Sequence, residues 1–153
     1  MKTPREKIKE MLTEYPFLKN KINTLDKIAG KEHSIRELAY SHPAGGKINN
    51  IYQEIEEYII NTVGSQQALK DLIMLVNCIE ESMKMLTDNE RYITICKYNW
   101  NSEELTNGEI KDELGYSSKS SITYNHNKAI DKIKDSGLYK NYNKFLKLLN
   151  EIE

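Results

Sequence analysis

The stretch from Leu86 to Lys134, LTDNERYITICKYNWNSEELTNGEIKDELGYSSKSSITYNHNKAIDKIK, decides how the chain is read. Thr87–Glu90 and Thr106–Glu109 both fit the Ser/Thr-x-x-Glu box. In such a box the hydroxyl accepts from a backbone amide one turn in, and the glutamate reaches back to the cap amide. Each box predicts a helix start. The first helix is expected over 88–98, turning Tyr92, Ile93, Cys96 and Tyr98 inward. The second is expected over 107–114, burying Ile110 and Leu114, with Leu105 and Ile110 as a hydrophobic staple. Gly115 takes positive φ without penalty and ends that helix sharply. Ser117 or Ser118 then caps a third helix over 119–135, which buries Ile122, Ala129, Ile130 and Ile133.

A short capped helix, a glycine turn, a serine cap and a longer polar helix follow the order of a helix-turn-helix. The outward face of the third helix offers Lys119, Ser120, Ser121, Thr123, Tyr124, Asn127 and Lys128. Hydroxyl and amide groups bond base edges or phosphates, and lysine supplies charge. Lys132 is added as a further phosphate contact. Double-stranded DNA is the partner this face implies; a three-helix core with an ordinary polar surface is the plainer alternative.

The charge distribution agrees with that division. The formal net charge of −1 conceals a segregation along the chain. Between Ile51 and Glu90 stand Glu54, Glu56, Glu57, Asp71, Glu80, Glu81, Asp88 and Glu90, against Lys70 and Lys84. From Lys119 to Lys147 the lysines at 119, 128, 132, 134, 140, 144 and 147 face only Asp131 and Asp135. Clustered lysines on helices suit a phosphate array, and equally a solvated face.

Working outward, further helices are expected over 4–14, 16–29, 47–61, 66–86 and 139–151. Thr3–Glu6 and Ser34–Glu37 are additional boxes, the first with Pro4 at the first helical position. The segment 33–40 is a short uncertain element, and 41–46 is a loop by composition. The 47–61 helix sets Ile48, Ile51, Tyr52, Ile55 and Ile59 on one stripe. Leu69, Leu72, Val76, Ile79, Met83 and Leu86 recur at three- and four-residue steps, a stripe that wants a partner helix. The N-terminal helices of the same chain or a homodimer seam would each supply one. Tyr139, Tyr142, Phe145, Leu146, Leu148 and Leu149 form a similar stripe. The architecture expected is all-α: a helical dimerisation or partner module at 1–86, and a DNA-binding module at 87–153.

Several function classes are disfavoured. Cys78 and Cys96 sit among apolar residues without a CxxC partner, as free thiols in a reducing compartment do. His33, His42 and His126 share no ligand spacing, so neither metal nor cofactor is expected. His126 is read as supporting the core or touching a phosphate. No apolar run approaches the roughly 18 residues of a membrane helix, and a cytoplasmic location is expected. Neither GxSxG, a P-loop nor GxGxxG occurs, and an enzyme is not expected.

The segment Leu86–Lys134 resembles region 4 of bacterial sigma factors. The positions carrying the resemblance are Leu86, Glu90, Arg91, Thr106, Asn107, Glu109, Ile110, Leu114, Gly115, Lys128, Ala129, Ile130, Lys132 and Ile133. The whole chain is similar to the ArpU/RinA type of phage-encoded transcriptional regulators. That resemblance implies an activator of late or lytic genes, working at a promoter or operator and through bacterial RNA polymerase. Two departures stand against it. The stretch from Gly115 to Ala129 is one residue longer than in sigma region 4, and Lys111 replaces a small residue. A complete sigma factor is not expected, because no aromatic-rich helices for melting promoter DNA are present and Trp100 stands alone. A phage small terminase subunit, or a sigma mimic that occupies polymerase without touching DNA, are the alternatives.

Overall fold

The computed structural model describes residues 1–29, 57, 59–61, 64–101 and 105–152. Every regular element among them is helical. They are α1 (Pro4–Ala29), α2 (Gln66–Met83), α3 (Asp88–Lys97), α4 (Asn107–Leu114), α5 (Lys119–Ser136), a 3-10 turn (Leu138–Asn141) and α6 (Tyr142–Ile152). The expected elements at 33–40 and 41–46, the Ser34–Glu37 box, and most of the 47–61 helix lie outside the described residues.

The chain divides into two compact units. One comprises Met1–Pro16 with Cys78–Tyr142, and the other Phe17–Asn77 with Asn143–Glu153. The unit containing α3, α4 and α5 thus also takes in the first half of α1 and the end of α2. In the second unit Leu18, Ile22 and Leu25 are buried, as are Leu69, Leu72, Ile73, Leu75 and Val76, and Phe145, Leu148 and Leu149. The apolar period of 66–86 is therefore spent on burial, and it is wide enough to bury α2 on more than one side.

The capping boxes are formed. Thr87 Oγ1 accepts from the Glu90 amide, and Glu90 Oε1 accepts from the Thr87 amide at 2.8 Å. Thr106 and Glu109 make the same exchange, as do Thr3 and Glu6. Each cap satisfies backbone donors that the helix itself cannot reach, for about 1 kcal/mol. Gly115 follows α4 at φ 74°, and its amide is bonded back to Asp112 and Lys111. The third helix differs from expectation at its first turn. Ser118 occupies the cap position, but its hydroxyl meets Ser120 Oγ at 2.8 Å and Ser121 Oγ at 3.3 Å, and no backbone amide.

The other difference lies at Pro16. A break was expected between residues 14 and 16, yet α1 runs from Pro4 to Ala29 without one. Proline removes the amide that would bond the carbonyl four residues back, leaving the Leu12 oxygen without its helical donor. The indole N–H of Trp100 donates to that oxygen at 2.9 Å, and its ring stacks on Tyr15 at 4.0 Å between centroids. Trp100, which looked isolated in the sequence, is the residue that satisfies the carbonyl Pro16 leaves open.

The turn between α4 and α5 rests on Gly115. A Cβ there would have nothing within 4 Å, so substitution meets no clash and costs only the left-handed backbone. Gly115→Ala should lower stability by about 1 kcal/mol, and Gly115→Asn by less. Chemical denaturation of the variants measures this, and equal stability of alanine and glycine would contradict it.

Candidate nucleic-acid interface

Around the turn, Ile93, Cys96, Ile110 and Ile122 form a buried cluster, flanked by Tyr92, Leu105, Leu114 and Tyr116. Ala129, Ile130 and Ile133 continue the buried side of α5. Leu105 and Ile110 sit in the same cluster, as a staple requires. Polar ties at the edge hold α4 and the turn against α3: the Tyr92 hydroxyl bonds Glu113, and Asn89 donates to the Tyr116 hydroxyl at 3.0 Å. Lys111, the unexpected residue of α4, is 28% exposed at its side chain, with its ammonium 3.3 Å from Asp112.

With Ile122, Ala129 and Ile133 turned inward, helical geometry sends Ser120, Tyr124, Asn127 and Asp131 along the opposite side. Lys119, Ser120, Thr123, Tyr124 and Lys128 are exposed, whereas Ser121, Asn127 and Lys132 are half-buried. Tyr124 leaves 66% of its surface in water, more than any other large hydrophobic among the described residues except Met1. Lys119 folds back over α4, where a Cβ on Gly108 would lie 3.2 Å from its Cε. The predicted residues thus all lie on α5, with Lys119 leaning over α4, Ser120, Thr123, Tyr124 and Lys128 in solvent, and Ser121, Asn127 and Lys132 half-buried.

Lys132 has a different engagement. Its ammonium is 2.6 Å from Glu90 Oε1, and the Glu90 side chain is 2% exposed. Burial alone would raise the Glu90 carboxyl, but the Lys132 ammonium and the bonds from Thr87 outweigh it and hold the group below its usual range. Its other oxygen, Oε2, is buried with no partner among the described residues, so Oε1 alone carries both ties. Lys132 is a brace between α3 and α5, and its charge is already met. Arg91, next to Glu90, donates from Nε to the Met83 carbonyl at 3.2 Å and from Nη2 to the Leu86 carbonyl at 3.1 Å. It thereby satisfies carbonyls at the end of α2.

His126 supports the core. Its Nε2 lies 2.9 Å from the Tyr98 hydroxyl, with the rings tilted 5.6 Å apart. Burial, and then the charges of Lys97 and Lys9, lower the imidazole from 6.5 to about 4, while burial pushes the Tyr98 hydroxyl up to about 12. Sequence reasoning missed Lys9, Lys97 and Arg5, because they reach this region only through the fold. Among the described residues no cluster of His, Cys, Asp and Glu could hold a metal ion. No helix there is long and apolar enough to cross a membrane. No family model matches the chain, and no curated protein or solved structure matches it.

Removing Lys132 strands a buried carboxylate. Lys132→Met should cost about 1–3 kcal/mol, less than a wholly buried pair because the ammonium is partly solvated. Adding Glu90→Gln should recover part of the loss, as a double-mutant cycle by denaturation will read. Additive losses would mean that the two groups do not couple.

His126 sets a pH dependence. Its folded value lies below the unfolded one, so the neutral ring's contribution is complete above pH 6.5 and declines as pH falls toward about 4. Discounted for solvent, the loss should be about 1–2 kcal/mol, and His126→Asn should flatten that stretch of the stability profile. An unchanged profile in the variant would remove His126 as the source.

Proposed function

We propose that the chain is a sequence-specific DNA-binding transcriptional regulator that enters the major groove with the first turns of α5. The observation that carries this reading is the outward side of that helix. Ser120, Thr123 and Tyr124 stand in solvent beside Lys119 and Lys128. The Ser118, Ser120 and Ser121 hydroxyls bond one another and leave the first-turn amides uncapped by side chains. An aromatic ring exposed among hydroxyls and cations is suited to a wet, polar interface. Groups that rotate freely and both donate and accept can read base edges.

Lys119 and Lys128 supply phosphate contacts in this reading, and Asn127 stands one turn further along the same side. Lys132 contributes by holding α5 in place through Glu90. The resemblance to sigma region 4 and to the phage regulators extends the proposal to activation of phage or prophage genes through RNA polymerase, with a homodimer as the form that could bind a two-fold site.

The experiment is a titration on cognate duplex, obtained by selecting bound sites, and on scrambled duplex at one salt concentration. Alanine at Ser120, Ser121, Thr123 or Tyr124 should cost about 1–3 kcal/mol on the cognate site wherever the side chain bonds a base edge, and little on the scrambled one. If all four variants keep the wild-type ratio of affinities, α5 does not read sequence. No DNA affinity even at low salt would make the chain a protein-interaction module, and a ring-shaped assembly would favour a packaging subunit.

A further inference from the structure

The row Ser120, Tyr124 and Asn127 continues to Asp131 on the same side of α5, with exposed Asp135 one turn beyond. The Asp131 carboxylate would repel the phosphates that this helix is proposed to approach. It is not left bare. Arg5 of α1 donates from Nε to Asp131 Oδ1 at 2.8 Å and from Nη2 to Oδ2 at 2.5 Å. This is a two-pronged pair, and both side chains are nearly half exposed, at 45% and 47%. Such a surface pair adds little to stability, but it cancels the charge locally.

Farther along α1, Leu12 is fixed to Trp100, just past the end of α3. The helix is thus anchored at Arg5 to α5 and at Leu12 to the end of α3. Lys9 lies between the two anchors, and Lys97 is the last residue of α3; both are exposed. Both act on His126, which ties the end of α3 to the middle of α5. Neither ammonium has a carboxylate partner among the described residues. Two cations from separate helices thus bear on His126, a ring that burial keeps neutral. Cations without a counter-charge favour an anion beside them.

We propose that the first half of α1 belongs to the DNA-binding surface: Lys9 and Lys97 hold backbone phosphates flanking the groove entered by α5, while Arg5 screens Asp131. The proposal rests on the DNA-binding reading above and adds contacts outside the helix triplet. It also gives a reason for residues 1–16 to share a compact unit with that triplet.

The full chain should be titrated with a short random-sequence duplex over a series of potassium chloride concentrations. Removing one phosphate contact makes the slope of log affinity against log salt shallower by about 0.9, so Lys9→Ala with Lys97→Ala should remove about 1.8. Arginine at both positions should keep the wild-type slope, and the fold of each variant is checked by circular dichroism. Arg5→Ala should weaken binding to every sequence, and adding Asp131→Asn should restore it. Wild-type slope and affinity in the double lysine variant, with the wild type binding DNA normally, would overturn this proposal and leave the role of α5 intact. A wild-type chain without DNA affinity at low salt would overturn the DNA-binding reading itself.

Discussion

A carboxylate with only 2% of its side chain exposed has to be satisfied inside the protein, and Glu90 is satisfied through a single oxygen. That atom accepts the Thr87 amide, which fixes where α3 begins, and the Lys132 ammonium, which fixes α5 against it. Arg91 then reaches the Met83 and Leu86 carbonyls and ties the same turn to the end of α2. Two consecutive residues thus connect three helices. A buried ion pair is weak evidence of net stability, since desolvation offsets much of the attraction. Its effect is on geometry: with Lys132 held on one margin of α5 and His126 on another, rotation of that helix about its axis would break both ties. The rotation that keeps them sends Ser120, Tyr124 and Asn127 outward.

What the sequence makes legible is what local chemistry decides. The boxes at Thr87 and Thr106, the positive φ at Gly115, and the inward residues of α5 depend on neighbours within a turn or two, and they stand as expected. Pro16 and Trp100 show where local reading ends. A proline inside a helical pattern signals a break because it opens a carbonyl, and this signal holds unless a donor arrives from elsewhere. Here the donor is 88 positions away along the chain. No periodicity relates the two residues; only the fold brings them together.

Lys132 illustrates the same limit in charge reading. In the sequence it is one of a run of lysines, and nothing local separates it from Lys128. In the structure Lys128 is exposed, whereas Lys132 meets a buried carboxylate contributed by α3. Charge runs count cations, but burial decides which remain available to a partner. Lys9 and Lys97 reverse the case: each lies outside the basic run, on α1 and α3, yet the charge of both bears on His126 of α5.

The distribution of side-chain types around α5 then has a physical logic. Its outward row runs through serine, tyrosine and asparagine to Asp131, which is matched by Arg5, with exposed Asp135 one turn beyond. Of the exposed cations, Lys119 stands at the first turn of α5, Lys128 and Lys134 stand farther along it, and Lys9 and Lys97 belong to α1 and α3. Phosphate contacts fix register without reading sequence, while hydrogen bonds to base edges discriminate. Under the proposed reading, keeping lysines out of the central row would prevent a strong, sequence-blind attraction from dominating the part of the surface that discriminates. In the same reading, cations at the edges would let that attraction deliver the row to the groove.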